Sequence, residues 1–397
     1  MNNKSSLSPS LIVVMAFATG ASVANLWYNQ PLLSLMAHTF HVTPAAAGSV
    51  SMVTQVGYAV GLIAFVPLAD LLERRRLIIV LLGIIAVASL VVALAHSFWW
   101  LLLASFFLGA VTVVPQIIVP VAADLASNLS RGRVVGIVMS GLLIGVLGAR
   151  TISGLIGGAW GWRTVYVFGA ILMLLLAVLV RVTFPVTNPH SQHASYRAVL
   201  GSIVPLMRQE PELNRASLTG GALFGAFSAF WTTLTFRLGE APYHYTASLI
   251  GLFGLLGIAG ASIAPIAGRW ADRRDPRITV TGSIVLVIAA FLWMSALSGR
   301  LWALIIGILM LDLGVQSGQI SNQSRIYALR PDARARSTTV YMGAYFIGGS
   351  LGAGIASWAW SQWQWSGVTI TALSFLAIAG IVHMESLRRH PIRKRLA

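Results

Sequence analysis

The stretch Pro67-Leu-Ala-Asp-Leu-Leu-Glu-Arg-Arg-Arg76 is a short charged segment between two stretches that are almost purely apolar. A related segment, Gly268-Arg-Trp-Ala-Asp-Arg-Arg-Asp-Pro-Arg277, again separates two apolar stretches. Asp272 follows Asp70 by 202 residues, which is about half of the 397-residue chain. A charged segment that recurs at half the chain length predicts a duplicated membrane protein.

The composition supports a membrane location. Hydrophobic residues make up 57% of the chain and charged residues 10%, and the mean hydropathy is +0.80. Since soluble proteins carry about 25% charged residues, most of this surface cannot face water. The chain has no cysteine, which excludes disulfides, thiolate metal sites and thiol nucleophiles. The net charge of +16 would indicate a nucleic-acid partner unless it lies on one side of a membrane.

Apolar runs of about 18–25 residues can cross a hydrocarbon layer of about 30 Å as helices. Helices are required because lipid offers no partner to unpaired backbone groups. We therefore predict an all-α polytopic protein with twelve transmembrane helices. The predicted spans are 11–37, 46–69, 77–95, 99–122, 134–158, 164–184, 214–237, 247–268, 278–298, 301–324, 337–358 and 367–384.

The first 24 residues also have features of a cleaved signal peptide. Lys4 precedes the apolar run Leu11–Phe17, and Ser22-Val-Ala24 is a small-residue cleavage site. We expect the segment to be retained, because the apolar character continues past Ala24 and its loss would break the even number of spans.

Basic residues lie on one side of the predicted membrane. With the N-terminus in the cytoplasm, 23 of the 27 lysines and arginines fall in cytoplasmic segments. Arg150 lies within a span, and only Arg163, Arg237 and Arg300 fall on the other side. This asymmetry predicts that both termini are cytoplasmic. It also explains the net charge without nucleic acid.

The longest connection, 185–213, divides the chain into halves 1–184 and 214–397. Apolar residues at helical spacing within 196–207 predict a short helix on the cytoplasmic membrane face, although a simple tether would also explain the segment. Asp70 aligns with Asp272 at an offset of 202, Arg131 with Arg334 at 203 and Trp27 with Trp231 at 204. These anchors predict two pseudo-symmetric six-helix bundles.

Two six-helix repeats, a long middle loop and a Gly-x-x-x-Asp-Arg-x-Gly-Arg-Arg-like segment after the second helix resemble the major facilitator superfamily over the whole chain. The second segment keeps Gly268, Asp272 and Arg273, whereas Val66 and Glu73 replace glycines in the first. The resemblance implies alternating access, with the charged segments acting as a cytoplasmic gate. The gate residues are Asp70, Arg74, Arg75, Gly268, Asp272 and Arg273.

Glycines of the fifth span resemble those of the twelve-helix drug and metabolite exporters (the DHA1-like group). They lie in Gly145-Val-Leu-Gly-Ala-Arg-Thr-Ile-Ser-Gly-Leu-Ile-Gly-Gly158, where Ser153-Gly154 replaces the exporters' Gly-Pro pair. Ser105 replaces the fourth-helix arginine of many such exporters. Close helix packing through small residues is the alternative explanation.

Two charged residues lie well inside the spans, and such residues are costly and indicate function. Asp312 shares one helix face with Gln316, Gln319 and Gln323. In the family, the tenth helix lines the substrate cavity, which lies near the midplane between the halves; a buried hydrogen-bond ladder is the alternative. Burial favours the neutral form of a carboxylic acid, and a proton carrier must be able to adopt that form.

Arg150 is the second buried charge. The depth of each residue in the membrane can be counted along its helix from the cytoplasmic edge, from Arg133 to Arg150 and from Arg325 to Asp312. The two depths differ by only about 5 Å, so an ion pair between Arg150 and Asp312 is one hypothesis. Attraction of an anionic substrate and pairing with a helix carbonyl end are the alternatives.

Polar residues of other spans are weaker candidates for the substrate pathway. Asn25 and Asn29 are one turn apart, and Pro31 loosens the helix; polar contacts between helices are the alternative. The weaker candidates are Asn25, Asn29, Gln30, Gln55, Gln116, Tyr341 and Tyr345. We expect His38, His41, His96, His244 and Glu240 to be surface residues, and we expect no metal or cofactor.

The leading hypothesis is a secondary active transporter that exports a small organic compound in exchange for protons. A proton-coupled uptake symporter is the alternative, and a receptor or scaffold is a remote one. The sequence lacks His-Glu-x-x-His, Gly-x-Ser-x-Gly and Gly-x-x-x-x-Gly-Lys-Ser/Thr, so neither an enzyme nor an ATP-driven pump is expected. We expect a monomer in a bacterial inner membrane, with lipid, substrate and protons as its partners.

Overall fold

The computed structural model describes residues 8–127, 130–186, 196, 201–258, 275–329 and 334–389. Within these ranges every regular element is a helix, which confirms the predicted all-α class. The helices are α1 Pro9–Val23, α2 Leu33–Phe40, α3 Pro44–Phe65, α4 Leu68–Leu71, α5 Arg74–Ala93, α6 Phe98–Val111, α7 Val114–Leu125, α8 Arg131–Trp160, α9 Trp162–Thr183, α10 Ile203–Gln209, α11 Pro211–Gly239, α12 Ala247–Ile258, α13 Pro276–Ala296, α14 Leu301–Leu329 and α15 Arg334–Arg389.

The helices account for the twelve predicted spans. Nine described segments are long and apolar enough to cross a membrane. One of them contains α15, in which Gln364 has φ 50° and ψ −134° and separates two helices. The more polar α11 and the described part of α12 supply the remaining two spans.

Helix α11 is polar because protein surrounds it. From Leu213 to Leu238 nearly every residue is buried, including Thr219, Ser228 and Thr232. A helix that is buried on all sides need not show the apolar face of a lipid-exposed helix.

Two predicted spans are interrupted. The first span consists of α1, two 3₁₀ turns (Ala24–Leu26 and Gln30–Leu32) and α2. The fourth span consists of α6 and α7, with a break at residues 112–113. A proline ring clashes with the carbonyl four residues earlier. For Pro115 that carbonyl belongs to Val111, the last residue of α6.

The chain forms two compact units. Unit 1 comprises Met1–Val42, Val53–Leu200 and His244–Leu255, and unit 2 comprises Thr43–Met52, Gly201–Tyr243 and Leu256–Ala397. Within unit 1, α1 packs on α8 and α5 on α9; within unit 2, α11 packs on α15 and α13 on α14. Each unit thus includes a short piece from the other half of the sequence. The predicted division at 185–213 stays a prediction.

Large apolar side chains cover the outside of the helices. Val87 is 61% exposed, Leu175 62% and Ile381 64%. Apolar surface of this extent requires a nonaqueous partner, as expected in a bilayer. Of the predicted linker helix, the described part forms α10, on which Val204 and Met207 are exposed.

Candidate functional site

Asp312 lies in the middle of α14 and is fully buried. Gln316, one turn further along the same helix, is 6% exposed. One turn beyond, the hydroxyl of Tyr345 on α15 donates a hydrogen bond of 3.2 Å to Gln319 Oε1. Asp312 is close enough to Tyr345 to interact with it electrostatically. On the predicted polar face of α14, Asp312 and Gln316 are therefore enclosed in protein, whereas Gln319 and Gln323 are partly exposed.

Aromatic rings surround this polar face within unit 2. The ring of Phe224 on α11 stacks on that of Tyr345 with centroids 3.9 Å apart, and Tyr341 lies 5.9 Å from Tyr345. The helices approach closely because glycines face each other: a Cβ on Gly348 would lie 2.1 Å from the carbonyl oxygen of Gly221. The predicted residues Tyr341 and Tyr345 thus belong to one buried aromatic cluster.

Arg150 is held by three groups of unit 1. Its Nε donates to Gln30 Oε1 over 2.7 Å, and its Nη1 donates to the carbonyl oxygen of Val146 over 3.1 Å. Its guanidinium carbon lies 5.0 Å from the ring centroid of Trp27, within the range of a cation–π interaction. Only 2% of Arg150 is exposed. The 3₁₀ turns of the first span bring Trp27 and Gln30 to this position.

Of the other polar residues predicted in unit 1, Asn25, Asn29 and Gln55 are buried and Gln116 is partly exposed. Asn25 Nδ2 donates to the carbonyl oxygen of Ser22 over 3.0 Å. Asn29 Nδ2 donates to Thr54 Oγ1 over 3.3 Å, and Gln116 Nε2 donates to Tyr58 Oη over 3.2 Å. Gln55 is 1% exposed. Asn25 Oδ1 also accepts from Ser89 Oγ of α5 over 3.5 Å, so Asn25, Asn29 and Gln116 all contact neighbouring helices.

Next to Arg150, α8 and α12 meet backbone to backbone. Thr151 Oγ1 donates to the carbonyl oxygen of Gly251 over 2.9 Å. A Cβ on Gly154 would lie 2.6 Å from Ala247 O, and a Cβ on Gly251 would lie 2.7 Å from Arg150 O. These contacts support the packing explanation for the glycines of the fifth span.

At the predicted gate, Arg74 is buried and makes two contacts. Its Nε donates to the carbonyl oxygen of Ala69 over 3.0 Å, and its Nη1 lies 2.6 Å from Asp124 Oδ2 at the end of α7. Arg75 Nη1 donates to the carbonyl oxygen of Phe184 over 3.2 Å. The Asp70 side chain and Gly268, Asp272 and Arg273 lie outside the described residues.

Unit 2 contains an ionic cluster that the sequence did not reveal. Glu212 of α11 bonds Arg325 of α14 and Ser386 of α15, and Arg215 lies 3.3 Å from Glu212. Burial alone would raise the pKa of Glu212, but the hydrogen bond from Ser386, the charge of Arg325 and the hydrogen bonds from Arg215 and Arg325 bring that pKa below its usual value. The cluster joins three helices of this unit.

No grouping of three metal-binding side chains occurs among the described residues. Five residues expected at the surface are exposed; they are His38, His41, His96, His244 and Glu240. Of the polar residues singled out in the spans, Gln30 contacts Arg150 and Tyr345 interacts with Asp312. Asn25, Asn29 and Gln116 have other partners.

Comparison with known proteins agrees with this architecture. The family model of the Major Facilitator Superfamily matches residues 15–326 and 264–396. The transporter YgaY of Escherichia coli O157:H7 is 41% identical over 96% of this chain and 97% of its own length. Transporter SCO4007 of Streptomyces coelicolor is 38% identical over 92% of this chain and 85% of its own.

Solved structures share the fold. A bacterial homologue of the human lysosomal transporter Spinster, in an inward-facing and unoccupied conformation, superposes with a TM-score of 0.77 at 16% identity, covering 96% of this chain and 98% of the other. A point mutant of the nucleoside transporter NupG gives a TM-score of 0.75 at 14% identity, covering 96% and 100%. The chain therefore belongs to the Major Facilitator Superfamily and is a multi-pass membrane transporter.

Proposed function

We propose that the protein is a proton-coupled secondary transporter that exports a small organic compound by alternating access. The observation that carries this proposal is the complete burial of Asp312 inside α14. Ionising a carboxylic acid in such a place is costly, so proton binding changes the energy of the surrounding conformation. This dependence is what a coupling residue requires.

The neighbours of Asp312 fit a carrier that gains and loses a proton. Gln316 and the hydrogen-bonded pair of Gln319 and Tyr345 are neutral, and they can donate or accept hydrogen bonds in either charge state of a carboxyl group. We take these neutral groups to tolerate both charge states of Asp312.

We further propose that the polar residues singled out in the spans contact substrate or protons. They are Asn25, Asn29, Gln30, Gln55, Gln116, Arg150, Asp312, Gln316, Gln319, Tyr341 and Tyr345. The pairing of Arg150 with Asp312 stays a prediction. Additive transport losses for Arg150→Ala and Asp312→Asn in a double-mutant cycle would contradict it.

The first charged segment is proposed to stabilise one conformation of the transport cycle. Arg74 already links the end of α4 to α7 through Ala69 and Asp124. Loss of the Asp70 carboxylate should therefore slow turnover more than it weakens binding. A loss of affinity alone in Asp70→Asn would contradict this role.

Export is proposed from the resemblance of the fifth span to the DHA1-like exporters. Uptake with protons is the alternative. We propose a monomer in a bacterial inner membrane with both termini in the cytoplasm, since the arginine-rich segments 74–76 and 388–395 lie on one predicted side.

The test is a solute screen with purified protein in liposomes under an imposed pH gradient. Protein-free liposomes and collapse of the gradient by an ionophore are the controls. Export predicts that solute moves against its own gradient and opposite to the proton flow. Solute movement in the same direction as the protons would establish the symporter instead. Solute movement that does not depend on the pH gradient would contradict proton coupling.

A further inference from the structure

The surroundings of Arg150 define one class of ligand. Gln30 is 2% exposed, and its side-chain oxygen accepts from Arg150 Nε. Because arginine has only donors, the atom facing Arg150 must be the oxygen of the amide. The two N–H groups of Gln30 Nε2 therefore point elsewhere. Within the part of the chain that the structure describes, this nitrogen has no hydrogen-bond partner.

A buried amide donor without a partner costs about 1–3 kcal/mol, so it indicates a group that binds there during function. The Gln30 amide lies beside the guanidinium of Arg150, which carries a permanent positive charge. A positive charge next to a spare donor matches a ligand with negatively charged acceptor oxygens. It does not match a ligand with a cationic head, which would face the charge of Arg150.

The site favours one negative charge over two. Arg150 supplies a single positive charge, and a dianion would retain one uncompensated charge in a buried place. The two oxygens of a carboxylate lie about 2.2 Å apart and can accept from two adjacent donors, as in fork-like arginine–carboxylate contacts. The Trp27 ring, 5.0 Å from the guanidinium, restricts the orientation of Arg150 and so keeps its donors in place.

We propose that Arg150 and Gln30 bind the carboxylate of a small organic monocarboxylate, which is the transported substrate. The identification rests on the proposed transport function, but it concerns only the class of ligand and holds for either direction of transport. Arg150 supplies the charge, Gln30 Nε2 supplies a second donor, and Trp27 fixes the guanidinium.

The experiment measures binding to the purified full-length protein without any gradient. Phenylacetate, phenylacetamide and phenethylamine share one ring and differ in charge, and hexanoate with hexanamide forms an aliphatic pair. Ligand protection against thermal unfolding and equilibrium binding of radiolabelled phenylacetate are the readouts. At least one carboxylate should bind at millimolar concentration or below, at least tenfold more tightly than its amide. Equal binding of acid and amide, or no carboxylate binding at millimolar concentration, overturns the proposal.

Substitutions of Gln30 and Arg150 test whether these two residues bind the carboxylate. Gln30→Leu should weaken carboxylate binding about tenfold, the effect of one hydrogen bond to a charged group. Gln30→Glu should weaken it further, since its own carboxylate would neutralise Arg150. Arg150→Gln should abolish binding, and Arg150→Lys should restore part of it. Wild-type affinity in Gln30→Glu and Arg150→Gln would overturn the assignment.

Arg163→Gln is the matched control. Arg163 is exposed, yet its guanidinium carbon lies 4.3 Å from the ring centroid of Trp162 and its Nη2 donates to a carbonyl oxygen. Its loss should leave binding unchanged. If Arg150→Gln does not elute as a folded monodisperse protein, the Gln30 variants and Arg150→Lys decide the question.

The outcomes separate this inference from the proposed function. Carboxylate binding without any gradient-driven movement would contradict the transport mechanism and leave the ligand class intact. Gradient-driven movement of phenethylamine or phenylacetamide without carboxylate binding would contradict the ligand class and leave proton coupling intact.

Discussion

In each compact unit one charged residue lies well inside the predicted spans, Arg150 in unit 1 and Asp312 in unit 2, and the two are held in different ways. Arg150 in unit 1 is fixed by the side chain of Gln30, the carbonyl of Val146 and the ring of Trp27. Asp312 in unit 2 lies near the neutral groups of Gln316 and the bonded pair of Gln319 and Tyr345. An arginine keeps its charge at every accessible pH, whereas a buried carboxylic acid can lose its charge. The difference suggests a permanent charge that binds ligand and a variable one that couples to protons.

The close helix contacts of the two units should differ most in how much added side-chain volume they tolerate. A Cβ on Gly352 would lie 2.0 Å from Gly225 O in unit 2, and one on Gly154 would lie 2.6 Å from Ala247 O in unit 1. Overpacking costs about 1–3 kcal/mol or more. We expect Gly352→Leu to lower the unfolding temperature by about 5 °C or more, at roughly 2–4 °C per kcal/mol, and Gly154→Leu to lower it by less.

Open positions on the same helices provide the controls for this prediction. A Cβ on Gly343 or Gly148 would meet nothing within 4 Å. Gly343→Leu and Gly148→Leu should therefore unfold close to the wild-type temperature. If they lose as much stability as the contact variants, close packing is not the reason for the glycines.

The ionic contacts of the two units should differ next. Glu212 bonds Arg325, whose side chain is 9% exposed, whereas Asp124 bonds Arg74 with 42% of the Asp124 side chain exposed. Removing one partner of a buried pair costs about 3 kcal/mol, and exposed pairs contribute at most about 1 kcal/mol. Glu212→Gln should lower the unfolding temperature more than Asp124→Asn does. If Asp124→Asn lowers the unfolding temperature more than Glu212→Gln does, burial does not determine how much these two ion pairs contribute to stability.

The same carboxylate should produce a pH dependence. The pKa of Glu212 lies below its usual value of 4.5, so its contribution to stability is present above that pH and is lost as the pH falls through the lower folded value. The unfolding temperature of the wild type should fall as the pH falls below about 4.5. The unfolding temperature of Glu212→Gln should fall less over the same range. Parallel curves for the two proteins would show that the cluster does not titrate there.

The smallest expected effect concerns the hydroxyl beside Asp312. Tyr345→Phe removes the hydrogen bond to Gln319 and keeps the stacking on Phe224. The loss of one neutral hydrogen bond is worth about 1 kcal/mol. We expect transport to fall severalfold while the unfolding temperature changes by only a few degrees. An unchanged transport rate would remove Tyr345 from the pathway.

Much of the fold followed from the chain because lipid permits few alternatives. Apolar length and arginine placement predicted twelve helices, and the boundary expected between 358 and 367 contains the kink at Gln364. The gap between α6 and α7 was not predicted, although Pro115 marks it. Asp312 and Arg150 could be found from sequence because a charge inside an apolar run is conspicuous.

Contacts between distant segments could not be found in the same way. Arg325 and Glu212 are 113 residues apart, and each lies in a segment with other charges, so nothing marks them as partners. Asp124 was likewise missed as the partner of Arg74. Trp27 was recognised only as an anchor of the internal repeat, because its position over Arg150 depends on the 3₁₀ turns that interrupt the first span.

The most direct test of the account is the transport of Asp312→Asn in liposomes, measured both with an imposed pH gradient and as solute exchange without one. Asparagine keeps the size and hydrogen bonding of the side chain but cannot carry a proton. Asp312→Asn should lose gradient-driven accumulation while exchange continues, and Asp312→Glu should retain part of the accumulation. Wild-type accumulation in Asp312→Asn would contradict the assignment of Asp312 as the proton carrier.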